Sequence, residues 1–257
     1  MKILFIGDIF GRPGREAVAK ILPQIKVEEN PDLVFANCEN AAGGKGMTLG
    51  VYQDLLDLGI NYLTSGNHIW AKKDFVPFLS DKKIKVLRPA NYPSGAPGRG
   101  FADILTRGTL VRLVNLQGRV FLDEGLDSPF KAADEILKTL PKPDYIIIDF
   151  HAEVTSEKAA FAYYLDGRAS AIIGTHTHIQ TNDLRVLPQG TAFITDVGFT
   201  GPRDSVIGVE KEEIIHHFLT ALPFKNEVAE GEKVFSAVLL EWEKNKVKNL
   251  KSFLTVC

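Results

Sequence analysis

Short runs of consecutive apolar residues alternate with stretches in which apolar residues recur every three or four positions. Residues 3–6 and 33–36 are runs of the first kind and predict buried strands, and 61–64, with Tyr62 and Leu63 at its centre, predicts a third. Residues 15–29 carry Val18, Ile21, Leu22 and Ile25 at helical spacing, and residues 49–58 carry Val51, Leu55 and Leu58. Both predict helices; Pro23 predicts a kink or break in the first, and Gly59 a stop for the second. Strands and helices in alternation, with strands apolar throughout, predict parallel pairing buried on both faces.

The second half has a different rhythm. Residues 101–106 and 109–116 flank Arg107-Gly108 and predict a hairpin. Residues 129–140 predict a helix, 145–148 a buried strand, 156–165 a helix, 170–173 and 192–195 strands, and 210–221 a helix. A last hairpin pairs 234–242 with 247–254 across Lys244-Asn245. There is no repeat and no low-complexity linker, so a single domain over residues 1–257 is expected. The proline- and glycine-rich segment 92–100 reads as a surface loop, a candidate lid or interface should the chain form a homo-oligomer.

Composition narrows the function classes. Thirty lysines and arginines against 32 aspartates and glutamates give a net charge of −2, which disfavours a long nucleic acid held by its backbone. Two cysteines, Cys38 and Cys257, cannot form a disulfide framework and point to a reducing compartment. The apolar start is interrupted by Gly7-Asp8, and no run approaches a membrane span, so a cytoplasmic protein without a membrane partner is expected.

The chemistry lies just beyond the C-terminal ends of the strands. Residues 3–6 lead into Gly7-Asp8; 33–36 into Asn37-Cys38-Glu39-Asn40; 61–64 into Ser65-Gly66-Asn67-His68; 145–148 into Asp149-Phe150-His151; 170–173 into Gly174-Thr175-His176-Thr177-His178. In an open parallel sheet these ends share one edge, where such folds place their sites. Asp8, Glu39, Asn40, Asn67, His151, His176 and His178 form an oxygen and imidazole set suited to iron, manganese or zinc. Seven donors exceed the needs of one ion and suit two. In extended chain His176 and His178 point to one side and serve ions about 3.5–4 Å apart. Two divalent ions against the charges of Asp8 and Glu39 leave a positive surplus, which attracts an anionic phosphoester.

Taken singly, each of these residues has a plainer reading. Asp8, Asn40 and Asn67 are ordinary turn residues, and His151 a core histidine. Gly7, Gly11 and Gly14 have the wrong spacing for a dinucleotide loop, and Gly43-Gly44-Lys45-Gly46 lacks a full phosphate-loop motif. The latter reads as a flexible loop beside the metals. Arg12 reads equally as a phosphate contact or a solvated side chain. Cys38 reads as a buried thiol that ligates nothing, His216-His217 as surface or packing residues, and Phe75, Phe78 and Leu79 as core.

Gly7-Asp8, Glu39-Asn40, Gly66-Asn67-His68, His151 and residues 174–178 resemble the motif order of calcineurin-like metallophosphoesterases. Residues 7–14, 37–44 and 115–119 resemble the YmdB-like branch, and the resemblance spans nearly the whole chain. It departs from the broader superfamily pattern at Phe10, Glu39-Asn40 and Ile69, in agreement with that branch. The resemblance implies an α/β fold, a four-layer α/β/β/α sandwich. It also implies a binuclear centre, often of iron, and phosphodiesterase activity on substrates that include 2′,3′-cyclic nucleotides. Carried over by position, Asp8, Glu39, Asn40 and His178 would hold one ion, and Glu39, Asn67, His151 and His176 the other. The mechanism expected is in-line attack by a metal-bridging hydroxide, with His68 protonating or stabilising the leaving oxygen. The alternatives are a non-catalytic, metal-dependent nucleotide-binding regulator and a phosphomonoesterase.

Overall fold

The apolar runs become strands of two sheets that lie face to face. A computed structural model describes residues 1–122 and 125–257. Its elements are β1 (Lys2–Ile6), β2 (Asp8–Ile9), α1 (Gly11–Glu29), β3 (Leu33–Asn37), α2 (Leu49–Asp57), β4 (Tyr62–Thr64), β5 (Phe101–Thr106), β6 (Thr109–Gln117), α3 (Pro129–Lys138), β7 (Tyr145–His151) and α4 (Thr155–Tyr164). β8 (Ala171–Thr175), β9 (Arg185–Val186), β10 (Ala192–Ile194), β11 (Phe199–Pro202), α5 (Lys211–Thr220), β12 (Lys233–Glu243) and β13 (Lys246–Val256) complete them. Short 3-10 turns occupy Asn67–Trp70 and Val76–Ser80.

The first sheet runs β2-β11-β12-β1-β3-β4, with β13 paired to β12; the second runs β5-β6-β7-β8-β10-β9. β1, β3 and β4 are parallel, as are β6, β7, β8 and β10. Two sheets form, as the resemblance implies, in place of the single open parallel sheet assumed for the strand ends. Antiparallel β12 sits beside β1, and the strands that carry the polar ends belong to two sheets. Each sheet covers one face of the other, and helices cover only the outer faces.

Side-chain alternation along the strands builds these layers. Ile3, Phe5, Leu33 and Phe35 meet Val111, Leu113, Ile147 and Ile173 between the sheets. Leu4, Ile6, Val34 and Ala36 face α1 and α2. Val114, Leu116, Ile148 and Phe150 face α3 and α4. This is the expected α/β/β/α sandwich. Burying each large apolar side chain contributes about 1.5–3 kcal/mol, so the interlayer is a principal source of stability.

Both predicted hairpins form across the predicted turns, with Arg107, Gly108, Lys244 and Asn245 all at positive φ. Thr48 caps α2 through Oγ1, which accepts from Val51 N. α1 begins at Gly11, earlier than the apolar spacing indicates, with Pro13 in its first turn where a missing N–H costs nothing. No break occurs at Pro23, which lies on the exposed side of α1 where water reaches the freed carbonyl.

The interlayer changes character along its length. On β7 the inward residues are Tyr145, Ile147, Asp149 and His151; on β6 they are Val111, Leu113, Asn115 and Gln117. Register places Asn115 beside Asp149 and Thr175 beside His151. The apolar layer thus ends in a buried polar one at the C-terminal ends of the strands.

Candidate metal centre

Asp149 anchors the floor of this polar end. Asn37 Nδ2 donates to its Oδ2 at 2.9 Å, Thr64 Oγ1 donates to the same oxygen, and Thr175 Oγ1 donates to Oδ1 at 2.7 Å. Burial holds the Asp149 carboxyl above its usual range, against the opposing pull of His151. The Thr175 hydroxyl directs its hydrogen to Asp149, so its oxygen accepts from His151 Nδ1 at 2.8 Å. Nε2 of neutral His151 is then left with a bare lone pair.

That nitrogen faces other lone pairs. Glu39 Oε2 lies 3.1 Å away, Asn67 Oδ1 3.3 Å and His176 Nδ1 3.0 Å. His176 Nε2 pairs with Glu153 at 3.1 Å, which places its ring proton there and leaves Nδ1 an acceptor. Four acceptors converge, and the ligand atoms of Glu39, His151 and His176 all lie within 4.8 Å of one another. Only positive charge satisfies such a set. With protein groups alone, burial lowers the His151 pKa, but Glu39 outweighs it and raises the group to about 9, so a proton takes the place a cation would fill. Burial and the neighbouring His151 push His176 down to about 3, so it remains a neutral imidazole.

Asp8 supports the same conclusion. It is fully buried at the start of β2. Its Oδ2 accepts from His176 N at 3.1 Å, while Oδ1 has no hydrogen-bond partner among the described residues. Burial raises its carboxyl well above the usual range. That orphaned oxygen lies 3.9 Å from the His151 ring, and a lone pair without a partner beside other lone pairs is what a metal site requires. Gly66 leaves the room: a Cβ there would overlap His151 Nε2 and Glu39 Oε2.

Asn40, His178 and His68 extend the cluster outward. His178 Nδ1 donates to Ile207 O at 2.9 Å, leaving Nε2 to meet Asn40 Nδ2 at 3.2 Å. Burial lowers the His178 pKa and keeps it neutral. Asn40 Nδ2 also reaches Glu39 Oε1 at 3.2 Å, and its Oδ1 accepts from His68 Nδ1 at 2.8 Å. His68 Nδ1 lies 3.4 Å from Glu39 Oε1 as well. Glu39 is held well below the usual carboxylate range: burial opposes this, but the charge and hydrogen bond of His151 and the contact with His68 prevail. All eight residues singled out in the sequence thus join one connected cluster. It opens into a cavity of about 640 Å³ whose lining includes Glu39, Asn40, His68, His176 and His178.

The extended path expected through His176 and His178 is corrected. β8 ends at Thr175, and the two histidines have φ of 99° and 67°, so the chain is not extended there. A buried ion pair holds this unusual backbone. Lys158 Nζ donates to Thr175 O at 2.8 Å and to Asp196 Oδ2 at 2.7 Å. Asp196 also accepts from Thr177 N and Oγ1. Sequence reasoning missed Asn37, Thr64, Asp149, Glu153, Lys158 and Asp196. Of these only Asn37, Asp149 and Glu153 carried a signal, as polar neighbours of proposed ligands at strand ends.

The plainer readings divide. Cys38 is buried, and its burial raises the thiol pKa. Arg12 pairs with Glu230 at the surface at 2.7 Å, and Gly43, Gly44 and Lys45 line the cavity. His217 Nδ1 bonds Leu222 O at the end of α5. Phe75 and Leu79 are core, but Phe78 is 40% exposed, which corrects its assignment. Segment 92–100 lies over the second sheet's edge, where Arg88 N bonds Arg99 O and Asn115 N bonds Gly100 O. No helix among the described residues is long and apolar enough to cross a membrane.

Both the sequence and the fold have known relatives. A Bacillus subtilis protein described as a 2′,3′-cyclic-nucleotide 2′-phosphodiesterase is 48% identical over 252 residues, covering 98% of this chain and 95% of that protein. A hypothetical protein from Thermus thermophilus superimposes with a TM-score of 0.95 at 43% identity, covering 100% of this chain and 99% of the other. A Mycoplasma pneumoniae structure described as a novel phosphatase gives 0.94 at 36% identity, covering 100% and 93%. The family model described as YmdB-like protein matches residues 4–253. The chain belongs to the YmdB-like protein family.

Proposed function

We propose that this chain, acting as one domain over residues 1–257, is a binuclear-metal phosphodiesterase of small phosphodiesters, with 2′,3′-cyclic nucleotides as substrates. One observation carries the reading: the bare lone pairs of His151 and His176 converge with Asn67 and Glu39 beneath an open cavity, and the orphaned Asp8 oxygen lies 3.9 Å from the His151 ring. The B. subtilis relative adds the reaction class. Asp8, Glu39, Asn40 and His178 would hold one ion, and Glu39, Asn67, His151 and His176 the other. Iron heads the candidates, with manganese or zinc as alternatives. Two such ions would supply charge neutralisation at the phosphate and acidify the attacking water.

The chain's own groups then divide the work. Glu153 and Ile207 O hold the tautomers of His176 and His178, and Thr175 holds that of His151. Asn40 and Glu39 fix the His68 ring through Nδ1. His68 Nε2 has no partner among the described residues and the residue lines the cavity; with Nδ1–H donated to Asn40, Nε2 carries a proton only in the imidazolium form, and that form would give it to the leaving ribose oxygen.

Elemental analysis of freshly purified protein, then assays on cyclic nucleotides, linear diesters and monoesters, tests the reading. We expect two ions per chain and turnover of cyclic diesters. A preference for monoesters would make the protein a phosphomonoesterase. Tight nucleotide binding without turnover under any metal would make it a regulator. His68→Ala should lower kcat by about 10²–10⁴-fold with metal content unchanged. Loss of metal in that variant would make His68 a ligand or a structural residue.

A further inference from the structure

The cavity over the metal cluster has a wall that the hydrolytic chemistry does not use. Gly43, Gly44, Lys45 and Lys72 line it. Gly43, Gly44 and Gly46 all have positive φ, between 68° and 87°. The loop turns back on itself through bonds from Gly44 N to Asn40 O and from Gly46 N to Glu39 O, which tie it directly to the metal-cluster residues. The N–H groups of Gly43 and Lys45 have no acceptor among the described residues. A Cβ at Gly46 would press on Lys72 Cγ, so the half-buried stem of Lys72 lies against this loop. Neither Lys45 nor Lys72 forms an ion pair with any described residue. The cavity's own carboxylates are engaged elsewhere, Glu153 with His176 and Glu39 with His151 and His68.

Two unpaired ammonium groups on one wall, carried beside a loop that has two uncommitted amide N–H groups, make an electropositive recess. The ions and His68 already account for the scissile phosphate. The wall therefore has capacity for a second anion in the same ligand. We propose that Lys45, Lys72 and the Gly43–Lys45 backbone form a second phosphate subsite, selecting nucleoside 2′,3′-cyclic phosphates that carry a further phosphate on the 5′ oxygen. The choice of the 5′ position rests on the phosphodiesterase reading above, because the ribose then links the two phosphates. When a 2′ hydroxyl attacks the adjacent phosphodiester of a ribonucleotide chain and expels the next 5′ oxygen, the nucleotide left with the 2′,3′-cyclic phosphate keeps whatever phosphate its own 5′ oxygen already carried, a terminal monoester or the diester to the upstream chain.

Calorimetric binding to the metal-loaded protein tests this with two product-like ligands, adenosine 3′-monophosphate and adenosine 3′,5′-bisphosphate. The bisphosphate should bind about tenfold tighter, as charge-assisted hydrogen bonds to one more phosphate imply. The gap should close in the doubly substituted Lys45→Gln, Lys72→Gln protein and narrow with added salt. Equal binding of the two ligands by the wild type, or a gap that survives in the variant, overturns the subsite. A dinucleotide ending in a 3′-phosphate separates the sources: affinity matching the bisphosphate assigns the subsite to an oligonucleotide diester, and weaker affinity to a terminal 5′-phosphate. Turnover of adenosine 2′,3′-cyclic phosphate is measured on the same preparations. Turnover without the gap keeps the hydrolase and removes the subsite; the gap without turnover does the reverse.

Discussion

The two ends of the interlayer are built from the same strands on the same face, yet they do opposite work. At one end Phe5, Phe35, Leu113 and Ile147 are dry and apolar. At the other Asn37, Asn115, Asp149 and His151 are equally buried and almost wholly polar. On β7 the change takes one alternation, from Ile147 to Asp149. The apolar end gains free energy from burial; the polar end spends some of it. It keeps carboxylates in a medium that raises the pKa of Asp8 and Asp149 and removes water from lone pairs that only a cation satisfies. A sandwich fits this purpose because two sheets clamp the polar end from both sides while the apolar end holds them together.

If the division is real, the ends should fail separately. Phe5→Ala is expected to have the largest effect, a loss of about 3–5 kcal/mol in stability, with metal per folded molecule unchanged. Urea unfolding and elemental analysis of the folded fraction check this. Loss of metal in proportion to stability would show that the two ends behave as one unit. Asp149→Asn attacks the other end. It replaces an acceptor of three hydrogen bonds, from Asn37, Thr64 and Thr175, by a group that accepts at only one of its two atoms. Metal affinity should fall about 10–100-fold, read by competition with a chelator, because Thr175 loses its hold on the His151 tautomer. An unchanged affinity would make Asp149 a packing residue only.

The same contrast explains what was legible in the sequence. Apolar runs and turn dipeptides are local, and they place most strands and both hairpins. The convergence of strand-end polar residues was legible too, because parallel strands share a direction. The partition into two sheets was legible only through the family resemblance, since the pairing of β12 with β1 spans more than two hundred residues. The path through His176 and His178 was misread for a similar reason: Lys158 and Asp196, distant in sequence, impose the left-handed turns. Thr64 and Thr175 looked like ordinary strand-end residues, and Asn37 like no more than a polar neighbour of a ligand. Only Asp149, placed against all three, gives them a role.

A further effect separates the ends by pH. In chelator-stripped protein burial lowers the pKa of His151, but Glu39 outweighs it and the value rises from 6.5 to about 9. A group with a raised folded pKa contributes stability fully below its unfolded value and loses that contribution as pH rises through the folded one. Stripped protein should therefore lose stability between about pH 6.5 and 9, by at most about 1.4 kcal/mol per pH unit from this group. Metal-loaded protein should lack this dependence, because a cation replaces the proton on Nε2, and His151→Asn should lack it in either state. Urea unfolding across that range, on stripped and loaded protein side by side, reads the difference. A slope that persists in His151→Asn would assign the titration to another group and leave the proton-for-metal exchange at His151 without support.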